Sequence, residues 1–125
     1  MIIDTDVMIW FLRGNEKAVA VVESSMPFSI SIVTYMELLQ GMRNKQETAK
    51  MKKAFKSMDV GIIPINENIS MQAAQYVEDY ALSDSMELAD ALIAATCVQR
   101  NEVLCTANDK HYKAVKDLKL NIFRP

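Results

Sequence analysis

Apolar residues along this chain come in short runs whose period switches between two and 3.6. Met1-Ile2-Ile3 is a brief run closed by Asp4, and Val7-Met8-Ile9-Trp10-Phe11-Leu12 is a dense apolar segment ending at Gly14-Asn15, which predicts strand, turn and helix. Asn15 is placed to cap a second helical piece, Glu16 to Ser24, that stops before Met26-Pro27. Phe28 to Ile32 alternates as a strand does. Thr34-x-x-Glu37 has the form of a capping box ahead of Leu38, Leu39 and Met42, so a helix is expected from Thr34 to about Asn44. Met51, Ala54, Phe55 and Met58 give helical spacing, Gly61 to Ile65 reads as a third strand, and Ile69, Ala73, Tyr76, Val77 and Tyr80 form the stripe of another helix. Asp84-x-x-Glu87 reads as the opening of a helix that carries Asp90 in its middle and runs to about Arg100. Val103-Leu104-Cys105 is a fourth strand, His111 to Leu118 a last helix, and Asn121-Ile122-Phe123 a final short strand. This alternation predicts an α/β sandwich around a mostly parallel sheet of four to five strands, with ligands collecting at the carboxyl ends of the strands.

Composition narrows the class. At 125 residues with 50% hydrophobic and 24% charged content, the chain suits one domain over 1–125, and 3 Gly and 3 Pro leave no linker or low-complexity stretch. No apolar run approaches the roughly 20 residues of a membrane span, and no basic-then-apolar leader opens the sequence, so a soluble, cytoplasmic protein is expected. Cys97 and Cys105 lack metal-type spacing and are expected to be buried, reduced and structural, and the nine methionines are expected in the core. The net charge of -2 argues weakly against a general polyanion binder. Between Arg43 and Lys56, however, six basic residues face only Glu47. The simpler reading is the solvated side of an amphipathic helix; the alternative is a flank for a phosphodiester chain.

Four carboxylates change the picture: Asp4 at the end of the first strand, Glu37 before Leu38-Leu39, Asp90 within Leu88-Ala89-Asp90-Ala91-Leu92, and Asp109 after Val103-Leu104-Cys105. Burying an ionised carboxylate costs several kcal/mol in order of magnitude unless a cation or donors compensate it, and no basic residue adjoins Asp4 or Asp90 in sequence. A bound metal is therefore the first explanation to test. Oxygen-only ligands suit magnesium or manganese and disfavour zinc, and such ions can activate a water and stabilise a leaving oxygen in phosphodiester hydrolysis. Each acid also has a structural reading: Asp4 as a turn or N-cap residue, Glu37 as the capping-box acid, Asp109 as a helix cap. Asp90 is hardest to explain structurally, because Ile93, Ala94, Cys97, Leu88, Ala91 and Leu92 make both sides of it apolar. Asp6 either adds a fifth acid or bonds the turn, and Thr5 and Thr106 offer hydroxyls. His111, the only histidine, is expected to be a surface or packing residue.

Taken in order, Ile2-Ile3-Asp4-Thr5-Asp6-Val7, Glu37-Leu38-Leu39-Gln40-Gly41, Asp90-Ala91-Leu92-Ile93-Ala94-Ala95 and Thr106-Ala107-Asn108-Asp109-Lys110-His111-Tyr112 resemble the PIN-domain ribonucleases, and within them the VapC-type toxins of toxin-antitoxin pairs. The resemblance implies a three-layer sandwich in which Asp4, Glu37 and Asp90 surround a magnesium or manganese site, with Asp4 and Asp90 as ligands. It implies a fourth position at Asp109, the member of the Asn108-Asp109 pair that supplies charge, and metal-dependent cleavage of RNA. A homodimer and a cognate antitoxin covering the site would follow, with Met8, Trp10, Phe11 and Met42 as candidates to line the groove. The family often has Asn where Asp6 stands.

Two other readings compete. Asp4-Thr5-Asp6-Val7 also fits the D-x-D-x-[TV] pattern of haloacid-dehalogenase-like phosphatases, which would need a catalytic Lys, a later acidic pair at strand ends and room for a cap. A non-catalytic RNA- or protein-binding module would use the same carboxylates only for hydrogen bonds.

Overall fold

The computed structural model describes all residues, 1–125, as alternating strands and helices. In chain order these are β1 (Ile2–Ile3), α1 (Thr5–Leu12), α2 (Glu16–Ser24), β2 (Ser29–Ser31), α3 (Ile32–Gln40), α4 (Lys45–Ser57), β3 (Gly61–Ile63), α5 (Glu67–Asp84), α6 (Leu88–Gln99), β4 (Leu104–Thr106), α7 (Asp109–Tyr112) and β5 (Leu120–Ile122). Every strand pairing is parallel and the order is β3-β2-β1-β4-β5. The chain builds outward from β1 to β3, then returns to the other side of β1 with β4. That reversal makes the carboxyl ends of β1 and β4 the switch point of the sheet, where a crevice opens in folds of this kind.

Strand alternation sends neighbouring side chains to opposite layers. Ile2 and Leu104 join Ile69, Tyr76, Ile93 and Tyr112 in a core under α5 and α6; Ile3, Ile30 and Cys105 join Val7, Val22, Met51 and Phe55 in a second core under α1 to α4. The result is the expected three-layer sandwich. Local chemistry sets most helix starts: Asn15, Asn44 and Asn66 each accept the backbone N–H three residues ahead, at 3.0, 2.9 and 2.8 Å. Both cysteines are free and buried, and burial pushes the Cys97 thiol far up and the Cys105 thiol to about 11, so neither supplies a thiolate. No helix is long and apolar enough to cross a membrane.

Three boundaries differ from the sequence expectation. Helix α3 begins at Ile32, not Thr34: Ser31 ends β2 in an extended conformation and its Oγ accepts the Val33 N–H at 3.0 Å, so strand passes into helix without a loop. Thr34 is therefore no cap, and Glu37 sits in the middle of α3. Helix α5 runs on to Asp84 and closes on left-handed Ser85, φ 55, so α6 cannot start before Leu88. The N-cap is Glu87, and Asp90 lies in the first turn instead of mid-helix. The last helix ends at Tyr112, after which Val115 and Leu118 are buried through i to i-3 turns (N to O distances of 3.0 and 3.2 Å).

Candidate active site

The site begins where β1 ends. Its backbone pairing to β4 brings the Asp4 N–H within 2.9 Å of the Cys105 carbonyl, so the two strand ends lie side by side. Asp4 is 5% exposed. Its Oδ1 accepts the Thr5 N–H at 2.8 Å, the N-capping role, and its Oδ2 accepts the Thr106 hydroxyl at 2.8 Å. Capping and site membership are thus compatible in one residue. Burial, and then the nearby Asp6 charge, push the Asp4 carboxyl up to about 7 against the pull of Thr106, Thr5 and Tyr112. That corresponds to a penalty on the order of 4 kcal/mol for its ionised form.

Asp6 lies on the same rim. It accepts the N–H of Val7 at 2.7 Å and of Ala107 at 3.0 Å, which ties the loop after β4 to the start of α1, and burial raises its carboxyl above the ordinary value. On α3, Glu37 Oε1 accepts the Thr5 hydroxyl at 2.7 Å, and the same hydroxyl oxygen lies 2.9 Å from Thr34 Oγ1. Thr5 thereby connects the α1 acids to Glu37, a link the sequence offered only as a loose hydroxyl.

Asp90 reaches the same centre from α6. Its Oδ2 accepts the Glu87 N–H at 3.1 Å and lies 2.9 Å from His111 Nδ1, while Oδ1 is 3.4 Å from the Tyr112 hydroxyl. Tyr112 is buried, and burial with the Asp4 and Asp90 charges holds this phenol far above its ordinary value, leaving it protonated. His111, expected as a surface or packing residue, is partly exposed and pairs with Asp90. Nothing in its sequence spacing marks it, because it meets Asp90 only across the α6–α7 packing.

The two candidates for the fourth position separate. Asn108 donates its backbone N–H to Thr106 Oγ1 at 3.0 Å and places its side-chain amide 3.0 Å from His111 Nδ1. Asp109 turns outward to an exposed ion pair with Arg124 at 2.9 Å, which lowers its carboxyl below the ordinary value. The bonds that reach the Asp4–Asp90 centre come from Asn108, not from Asp109, because the Thr106 and Asn108 turn opens α7 with Asp109 on its outer side.

The centre is a set of hard oxygens (Asp4, Asp6, Glu37, Asp90 and the threonine hydroxyls) with no Lys or Arg bonded to any of those acids. Its donor chemistry fits magnesium or manganese. No group of three or more His, Cys, Asp or Glu side chains stands placed to hold a metal ion together. Magnesium does not need one, since it commonly binds through one or two carboxylates with waters and substrate phosphates completing the shell. Beside Glu37, a groove of about 830 Å³ runs between α1, α3 and α4, with Phe11, Leu12 and Met42 on its walls and Arg13 and Lys50 at its edges. Met8 is fully buried in the core, while Trp10 packs against it. Arg43 is engaged by Glu47 at 2.8 Å, and Lys45, Lys52, Lys53 and Lys56 lie on the exposed side of α4.

Comparison with solved structures finds close likenesses of fold. A toxin-antitoxin complex from Klebsiella pneumoniae superposes with TM-score 0.80 at 24% identity, covering 94% of this chain and 93% of that one. VapBC-1 from nontypeable Haemophilus influenzae gives TM-score 0.80 at 22% identity, covering 97% and 96%. VapBC2 from Rickettsia felis, bound to a promoter DNA fragment, gives 0.81 at 17% identity, covering 98% of each chain. Comparison with curated proteins gives no match. The PIN domain family model matches residues 1–118, the span that carries all the acids described above, and the chain belongs to that family.

Proposed function

We propose that this chain is a magnesium- or manganese-dependent endoribonuclease, the toxin of a VapBC-type pair. The observation that carries the reading is Asp4: a carboxylate almost wholly removed from water, beside Asp6, and without a bonded cation from the protein. A protein that only needed a hydrogen-bond network there would be more stable with a neutral residue. Asp4 and Asp90 would hold the ion, with Glu37 facing the same crevice, Asp6 shaping the rim, and Thr5, Thr106 and Asn108 keeping the acids oriented. When bound, the ion would supply a lowered water pKa and charge for the leaving oxygen. The fold likenesses to toxin-antitoxin complexes support a protein antitoxin as partner, and the groove beside Glu37 is the surface on which such a partner would cover the acids. A homodimer and a cytoplasmic site of action are part of the same reading.

The test is incubation of transfer, ribosomal and messenger RNAs with the parent and with Asp90→Asn, in magnesium, manganese or chelator. The parent should cleave only with metal, and the variant should fold but lose cleavage by orders of magnitude. Cleavage that persists in the variant or in chelator would sink the proposal. RNA binding with no cleavage under any metal would favour the non-catalytic module. The phosphatase reading finds no support in the placement of Asp90 on a helix instead of a strand end.

A further inference from the structure

We propose that His111 is a positioning residue that fixes Asp90 to receive a divalent cation. The inference rests on the metal-dependent reading above. Asp90 Oδ2 is held twice, by the Glu87 N–H at 3.1 Å and by His111 Nδ1 at 2.9 Å. Oδ1 has only the longer contact, 3.4 Å, to the Tyr112 hydroxyl. Two donors on one oxygen stop the carboxylate from rotating about its Cβ–Cγ bond and leave the other oxygen, less engaged, to meet an ion. An Asp in the first turn of a helix held by the N-cap amide alone keeps its ordinary rotamer freedom; the imidazole removes it.

The tautomer follows from the two groups near Nδ1. It lies 2.9 Å from the Asp90 carboxylate and 3.0 Å from the Asn108 amide, and it cannot donate to one while accepting from the other. A hydrogen bond to a charged acceptor is about twice as strong as a neutral one, so Nδ1 carries the proton, and the Asn108 amide, whose Nδ2 stands 3.0 Å from Nδ1, must turn its oxygen to that edge of the ring. Asn108 is itself fixed by Thr106 Oγ1, which also holds Asp4. Thr106 thus holds Asp4 and His111 holds Asp90, on either side of Asn108.

Calorimetric titration of manganese into the parent, His111→Ala, His111→Gln and His111→Asn tests this, with thermal melts to verify folding. Asn places an amide nitrogen near the position of Nδ1, whereas Gln places it farther out. Manganese affinity should fall about ten-fold or more in the Ala and Gln variants and stay within about three-fold of the parent in the Asn variant, as outer-shell partners of metal ligands behave. Parental affinity in His111→Ala, or affinity in His111→Asn as weak as in His111→Gln, overturns the proposal. If His111→Ala does not fold, the Gln and Asn comparison decides. A parent that binds no manganese overturns the metal-dependent reading and this inference with it, whereas binding that is indifferent to His111 overturns this inference alone.

Discussion

Thr106 donates its hydroxyl to Asp4 Oδ2 at 2.8 Å across 102 positions of sequence, joining the end of β4 to the end of β1. The same oxygen accepts the Asn108 N–H at 3.0 Å, so one buried hydroxyl satisfies an acid and a loop amide together.

Thr106→Val keeps the shape and removes both bonds. It should cost about 2 kcal/mol or more of stability, because each buried group left unpaired loses its solvation without recovery. Urea unfolding at neutral pH measures this; a loss below about 0.5 kcal/mol would mean that water replaces the hydroxyl at no cost.

Asp4→Asn separates stability from activity. Removing the charge while keeping the size should raise the melting temperature of the metal-free protein at pH 8 and abolish cleavage. A variant less stable than the parent at that pH would show that the ionised form is already well compensated.

The pH dependence of the metal-free parent follows from the same residue. Asp4 titrates at about 7 in the fold against an ordinary 3.8, so between those values the folded state binds the extra proton, and stability falls as pH rises through that window. Asp6, also raised, adds in the same direction; Glu47 and Asp109, both lowered, act at more acidic pH, where their contribution is lost. Melting temperature should therefore decline from pH 5 to pH 8, and manganese should raise it more at pH 8 than at pH 5, where protons compete with the ion. A flat profile in scanning calorimetry, with and without the ion, would contradict the Asp4 assignment.

Asp109→Asn should leave RNA cleavage within a few-fold of the parent, because its carboxylate serves Arg124 at the surface. Gel-resolved cleavage rates of this variant beside Asp90→Asn measure the difference. Equal, severe losses would return Asp109 to the catalytic set.

Much of this was legible in sequence because the period of the apolar pattern is a local property. The five strands, the Asn15 cap and the Asp4 turn follow from residues within a few positions of one another. The burial of Asp4 was legible too, since its place after Ile2-Ile3 is implied by neighbours in the chain. What failed was long-range or competitive. Two capping motifs, Thr34-x-x-Glu37 and Asp84-x-x-Glu87, lost to Ser31 and Glu87, because a strand end and a helix overrun moved the true starts. His111 and Tyr112 meet Asp90 from 21 and 22 positions away, a relation no spacing rule encodes. The outward turn of Asp109 depends on Arg124, beyond the last strand.

The strand order has a consequence for synthesis. Strand β1 leaves the ribosome first yet finds its partner β4 only after Leu104 and Cys105 have been made. Until Thr106 emerges, Asp4 has no hydroxyl to hold it, and until Tyr112 emerges Asp90 has neither ring beside it. A nascent chain of this kind carries its acids early but unassembled. The contacts that hold Asp4 and Asp90 are therefore complete only once β4 and α7 have been made.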